Sequence, residues 1–247
     1  MKELAFALNS ELYKLRHRKK YYVMLIIGAA VCALRWGGSA LLSRVSGGAV
    51  TVGGSIPLEM LSFSAELLVP IMIFMAVTDM FTGEYSADTL KACLLKPAVR
   101  LKVMTAKAGA AFLLAAAAMV IMYFVCLLFQ ALSGGGFSRA GAAFAAYMID
   151  LVPLAGVVLL CVLVNVCLKG PSAAMLLSLA VYAVMKYMGF YVAGSESFLF
   201  TAYAKWHTLF IGAALPFHIL ISKIGIVAGS ILVLYFVSYM IFDKKDI

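Results

Sequence analysis

Residues able to carry chemistry are few in this sequence, and most of them lie in one short stretch. Residues 82–107, TGEYSADTLKACLLKPAVRLKVMTAK, hold seven charged residues between two strongly apolar runs. Two further ionisable residues, Asp150 and Lys186, stand alone inside apolar runs. An ionisable group in such surroundings is costly unless it is paired or faces water, so both are candidate functional residues.

The sequence carries none of the common catalytic motifs. It has no Gly-Lys-Ser or Gly-Lys-Thr step that would form a P-loop, no His-Glu-x-x-His and no Gly-x-Ser-x-Gly. The three histidines, His17, His207 and His218, are scattered, and no two of the five cysteines form a Cys-x-x-Cys pair. The sequence therefore predicts no enzyme, no metal site and no cofactor bound by this chain.

Composition indicates a protein embedded in a lipid bilayer. The 247 residues are 65% hydrophobic and 13% charged, with a mean hydropathy of +1.04. Soluble domains are about 45–50% apolar and about 25% charged. The predicted class is therefore an integral membrane protein.

Six apolar runs are long enough to cross a bilayer as helices, which takes about 20 residues. They are continuous and lack the alternating polarity of barrel strands, so the predicted fold is all-α, with a single transmembrane domain over 1–247. The predicted spans are 18–38, 61–81, 103–132, 142–168, 173–193 and 223–242.

The distribution of basic residues predicts the orientation. With the N-terminus in the cytoplasm, fourteen of the twenty Lys and Arg residues fall on the inner side, as the positive-inside rule requires. Both termini are then cytoplasmic, and 39–60, 133–141 and 194–222 face outward. The net charge of +9 is accounted for by these membrane flanks, which also contact anionic lipid, so nucleic acid is not a predicted partner.

Two segments flank the spans. Residues 1–17 place Leu4, Leu8, Leu12 and Leu15 on one face, which predicts an amphipathic helix lying flat on the inner leaflet. Residues 194–222 are predicted to form external or re-entrant helices dipping into the outer leaflet, with Trp206 at the interface.

The polar stretch itself predicts a short cytoplasmic helix. Ser86 is placed to cap a helix over Tyr85–Leu95 that ends at Pro97, since the residue before a proline avoids the α region. Its acids lie near the start and its lysines near the end, which suits the helix dipole. A rigid charged helix of this kind suits docking onto a partner.

The same stretch resembles the segment after the second span in permease subunits of type-2 ABC (ATP-binding-cassette) exporters. The residues that match this coupling segment are Gly83, Glu84, Tyr85, Thr89, Leu90, Lys91, Leu94, Pro97, Arg100 and Lys107. Asp88 departs from the pattern, where glycine is usual. The N-terminal ELYKLRHRKK and the six-span plan extend the resemblance over nearly the whole chain.

The resemblance implies a bacterial plasma-membrane permease that exports a small peptide, antibiotic, lantibiotic or other amphipathic substrate. Such permeases pair with a second copy or a sister permease and bind two cytosolic ATPase subunits, which hold ATP and Mg. The coupling segment, 82–102, would dock into the ATPase. A stand-alone transporter or channel is the alternative, disfavoured by the charged segment and the lack of internal repeats; an intramembrane enzyme is disfavoured by the missing catalytic motifs.

Asp150 and Lys186 are predicted to lie at similar depth, roughly 10–12 Å below the outer boundary of consecutive antiparallel spans. They are therefore expected to face one another or to share a polar cavity. Such a pair would either orient two helices or lie on the substrate path. Lys186 reaching outward alone, with Asp150 protonated, is a further alternative.

Overall fold

The computed structural model describes residues 2–45, 55–86, 97–134, 136–191, 206–209 and 217–244, and these form helices joined by short turns, without a strand. Six helical segments are long and apolar enough to cross a membrane, which confirms the predicted fold class. The fourth segment consists of two consecutive helices, and one further helix precedes the first segment. The helices are α1 (Lys2–Arg16), α2 (Lys19–Val45), α3 (Ile56–Ser86), α4 (Pro97–Leu132), α5 (Ala140–Ile149), α6 (Leu151–Cys167), α7 (Pro171–Tyr191) and α8 (Phe217–Lys244).

Two spans form the centre of the bundle. In the most apolar part of α3, 61% of the residues are buried, and in the α5–α6 span 72% are, against 11% in α2 and in α8. The helix α3 packs on α4 and α6, and α8 packs along α6. Polar groups in the centre must therefore find partners on neighbouring helices.

Helix α3 contains two π-helical turns, Ser64–Leu68 and Asp79–Gly83. Pro70 follows the first turn, and as a proline it has no N–H to donate to the carbonyl of Glu66. The hydroxyl of Tyr182 in α7 donates to that carbonyl instead, at 2.9 Å. Each π turn also carries one acid, Glu66 or Asp79, and π turns of this kind are frequent at functional sites.

The leucine face of α1 packs on protein rather than on lipid. Leu15 is 2% exposed, Leu8 approaches Gly109 of α4, and α1 lies along α4. Gly109 permits this approach because it has no side chain. The leucine face of α1 is therefore occupied by protein, and the exposed apolar side chains of α1 are Phe6 and Tyr13. The placement of α1 on the inner leaflet stays a prediction.

The end of α1 and the end of α8 lie at one end of the bundle, which we call the terminal face. Lys14 of α1 contacts Glu84 at the end of α3, and Arg100 near the start of α4 contacts the carbonyl of Asp243 near the end of α8. At the other end, the opposite face, Arg35 pairs with Glu59.

Several helices extend beyond the predicted spans. Helix α3 begins at Ile56 rather than 61 and ends at Ser86 rather than 81. Helix α4 begins at Pro97 rather than 103. Hydropathy marks only the apolar part of each helix, whereas the backbone hydrogen bonds continue into the polar flanks.

Candidate functional site

A buried lysine organises the terminal face. Lys107 of α4 has a side chain that is only 3% exposed. Its Nζ donates to Oε2 of Glu84 at 2.6 Å, to Oε1 of Glu11 at 3.2 Å and to the carbonyl of Met80 at 2.9 Å. Helices α1, α3 and α4 therefore meet at a single ammonium group, which we call the Lys107 cluster.

Lys14 completes the cluster from its exposed side. Its Nζ lies 2.9 Å from Glu84 and 3.2 Å from Glu11. Partial burial acts to lower the pKa of Lys14, but the hydrogen bond to Glu84 and the charges of both carboxylates outweigh it and raise that pKa above its ordinary value. Lys14 therefore stays charged beside the two acids.

The second π turn of α3 is held to α2 in a similar way. Asp79 accepts from the hydroxyl of Tyr21 at 3.1 Å and pairs with Arg18 at 2.6 Å and with Lys20. The end of α3 is thus attached to α2 through Asp79 and to α1 and α4 through Glu84. Movement of this end must be shared with three other helices.

The predicted coupling residues fall partly within this arrangement. Gly83, Glu84 and Tyr85 form the last turns of α3, and Pro97 is the first residue of α4. Arg100 donates through Nη1 to the carbonyl of Asp243 at 2.6 Å. The other four predicted residues, Thr89, Leu90, Lys91 and Leu94, lie outside the described residues.

The helix that Ser86 is predicted to cap lies mostly outside the described residues, so its capping role stays a prediction. Ser86 lies in the last turn of the helix that ends α3, and its hydroxyl donates backward to the carbonyl of Gly83 at 2.9 Å. This hydrogen bond lies within the last turn of α3, since α3 continues past the end of the apolar run.

Asp150 lies at the junction of α5 and α6 and is fully buried. Its Oδ1 accepts from the backbone N–H of His207 at 2.7 Å, and its Oδ2 lies 2.7 Å from Nδ1 of the same residue. His207 belongs to a short 3-10 turn, Trp206–Leu209, that packs against α5. The carboxylate therefore holds this turn by both main chain and side chain.

Lys186 is paired elsewhere. Its Nζ lies 2.5 Å from Oε2 of Glu66 in the first π turn of α3. Asp150 and Lys186 therefore do not pair directly, because the partner of Lys186 is Glu66 and that of Asp150 is His207. The alternative, that the two residues share a polar cavity, stays a prediction. The two pairs are still neighbours, since Glu66 acts electrostatically on Asp150.

Sequence reasoning missed Glu66 and His207 as partners. Glu66 could have been found, because an acid inside the predicted second span indicates a residue that is paired or functional. His207 gave no such signal, because it lies in a different segment, 57 positions away from Asp150. Trp206, which the sequence predicts at the membrane interface, is buried at 3% exposure.

No group of three His, Cys, Asp or Glu side chains able to hold a metal occurs within the part of the chain that the structure describes. The site chemistry of the described residues is thus that of ion pairs and hydrogen bonds between helices. Such contacts can couple helix movements.

Comparison with known families identifies the class. The model of the ABC-2 family transporter proteins matches residues 7–189, well over half of the chain, so the chain belongs to the ABC-2 transporter family. This confirms the resemblance seen in the coupling segment. Comparison with curated proteins gives no match.

The chain is accordingly a multi-pass membrane permease of the ABC type. Membership of this family implies partnership with an ABC ATPase subunit.

Proposed function

We propose that this chain is the permease subunit of an ATP-driven ABC exporter in a bacterial plasma membrane. It moves a small peptide, antibiotic or other amphipathic substrate outward, using ATP hydrolysed by two copies of a separate cytosolic ATPase. A second permease copy completes the pathway. The family match supports the class, and the Lys107 cluster is the observation that carries the mechanism.

The Lys107 cluster suits the transmission of force. The ten residues between Ser86 and Pro97 join the end of α3 to the start of α4, so an ATPase that binds this segment acts on both helices. Glu84 passes that movement to α1 through Lys14 and to α4 through Lys107. Arg100 passes it on to the end of α8.

The orientation follows from charge. The described part of the terminal face includes Arg16, Arg18, Lys20, Lys102 and Lys169, whereas fewer of the described basic residues lie toward the opposite face. The positive-inside rule therefore favours a cytoplasmic terminal face, which is also where an ATPase must bind.

The substrate class is supported by the lengths of the linking segments. Between the helices at the opposite face the sequence has 10, 7 and 25 residues (46–55, 133–139 and 192–216), too few for a large extracellular domain. A small amphipathic substrate suits such a permease better than a glycan does.

Replacing Glu84 tests the coupling. Glu84→Ala removes the carboxylate that joins Lys14 and Lys107, and Leu90→Pro breaks the predicted coupling helix at a cost of about 3 kcal/mol. Both variants should lower ATP-dependent export or copurification with the ATPase. Glu59→Ala, which removes the ion pair with Arg35 at the opposite face, is the matched control and should leave ATPase binding intact. Full export and unchanged ATPase binding in both test variants would refute the proposal.

Cysteine labelling tests the orientation. In a variant without native cysteines, a membrane-impermeant thiol reagent applied to intact cells should label a cysteine at position 136 and leave one at position 245 unlabelled. The reverse pattern would overturn the proposed topology.

A further inference from the structure

The contact between Asp150 and His207 joins a segment outside the spans to the middle of the bundle. Asp150 lies ten residues from the start of α5, which corresponds to roughly 15 Å along the helix. The Trp206–Leu209 turn thus reaches well below the opposite face. Both ends of the contact are enclosed, with Asp150 at 0% and His207 at 9% exposure.

Asp150 binds His207 through two hydrogen bonds. Both oxygens of one carboxylate bind one residue, through its backbone N–H and its ring nitrogen, each at 2.7 Å. When one proton lies between Oδ2 of Asp150 and Nδ1 of His207, the pair has no net charge, whether that proton is bound to the ring or to the carboxylate. This neutrality makes the contact compatible with a bilayer.

The position of Asp150 in its own helix also favours this role. Pro153 has no N–H to donate to the carbonyl of Ile149, so the fourth span is interrupted where α5 ends and α6 begins. A movement of α6 relative to α5 therefore changes the direction of the Asp150 side chain. The neighbouring pair of Glu66 and Lys186 joins the same region to α3 and α7.

We propose that Asp150 and His207 form a latch that keeps the Trp206–Leu209 turn inside the bundle and that must open in each export cycle. Both are positioning residues: they hold the turn and do not bind ATP. The inference that export requires opening rests on the proposed function, whereas the latch itself can be tested on the isolated chain.

Trp206 is a built-in reporter of the latch. The chain has only two tryptophans, so Trp36→Phe leaves Trp206 as the sole one. In nanodiscs, quenching of its fluorescence by acrylamide should be weak, because Trp206 is 3% exposed. Asp150→Ala removes both hydrogen bonds and should raise the population of the released turn about tenfold or more, with a matching rise in quenching.

Two further variants separate a latch from general loosening of the bundle. Asp150→Asn keeps an acceptor oxygen for the N–H of His207 and should raise quenching less than Asp150→Ala does. Glu59→Ala breaks an ion pair at the opposite face and should leave quenching unchanged. Unchanged quenching in Asp150→Ala, or an equal rise in Glu59→Ala, would overturn the latch.

A cross-link tests whether the latch opens during export. Asp150→Cys and His207→Cys are combined in a variant without native cysteines and are oxidised in the assembled transporter. Export should be lost on oxidation and recovered on reduction, while the ATPase stays bound. Full export with the cross-link formed would refute opening of the latch. Loss of export in the reduced state as well, with ATPase binding intact, would also refute it, and would show instead that export requires the original side chains. Absence of ATPase binding in the parent chain would instead refute the proposed function and leave the fluorescence result standing.

Discussion

Removing the charge of Lys107 should destabilise the permease strongly, because this lysine is the common partner of two acids. Lys107→Met keeps the length of the side chain and leaves Glu84 and Glu11 without their buried cation. One oxygen of Glu11, Oε2, has no hydrogen-bond partner among the described residues, so Glu11 depends on its contacts with lysines. Breaking a buried ion pair from one side costs about 3–5 kcal/mol.

The expected loss lies near the lower end of that range. The side chains of Glu84 and Glu11 are 18% and 10% exposed, so water screens them in part, and Lys14 stays close to both. We expect Lys107→Met to lower the free energy of unfolding by about 3 kcal/mol. Lys14→Met is the matched control, since Lys14 contacts the same acids but is half exposed. An exposed pair contributes about 0–1 kcal/mol.

Unfolding by SDS titration in mixed micelles measures both variants. The double variant Lys107→Met with Glu84→Gln should recover part of the loss, because it removes the stranded carboxylate together with its partner. Equal losses for Lys107→Met and Lys14→Met would refute the reasoning that burial makes Lys107 the central member of the cluster.

Three smaller effects follow from packing and can be measured by the same titration. Gly28→Leu should cost about 1–3 kcal/mol, because a Cβ there would lie 2.5 Å from the side chain of the buried Leu68. Gly37→Leu is the control and should be near neutral, because a Cβ there would meet nothing within 4 Å. Equal losses of stability in the two variants would contradict this. Tyr182→Phe removes the donor to the carbonyl of Glu66 and should cost about 0.6 kcal/mol, the average for such bonds in membranes. Asn165→Leu should cost between about 0.6 and about 1.7 kcal/mol, because it breaks two interhelical hydrogen bonds, with Thr82 and with Ser178. A gain in stability would refute the role given to Asn165.

The sequence determined the helical content and the class of this protein. Long apolar runs specify spanning helices because backbone groups in lipid must bond within their own segment, so six runs predict six helices without any tertiary information. The Gly83-Glu84-Tyr85 start of the coupling segment carried the resemblance that the family match confirmed. Both signals are local, which is why they can be read from composition and spacing.

Tertiary structure alone decided which polar groups meet. The sequence marks Asp150 and Lys186 as exceptional, but their partners depend on how each helix is rotated about its axis, which hydropathy does not specify. The partners come from 57 and 120 positions away along the chain, one of them from outside the spans altogether. The leucine face of α1 is a similar case: its amphipathic pattern is the same whether it packs on lipid or on α4, and the close approach at Gly109 decides for α4.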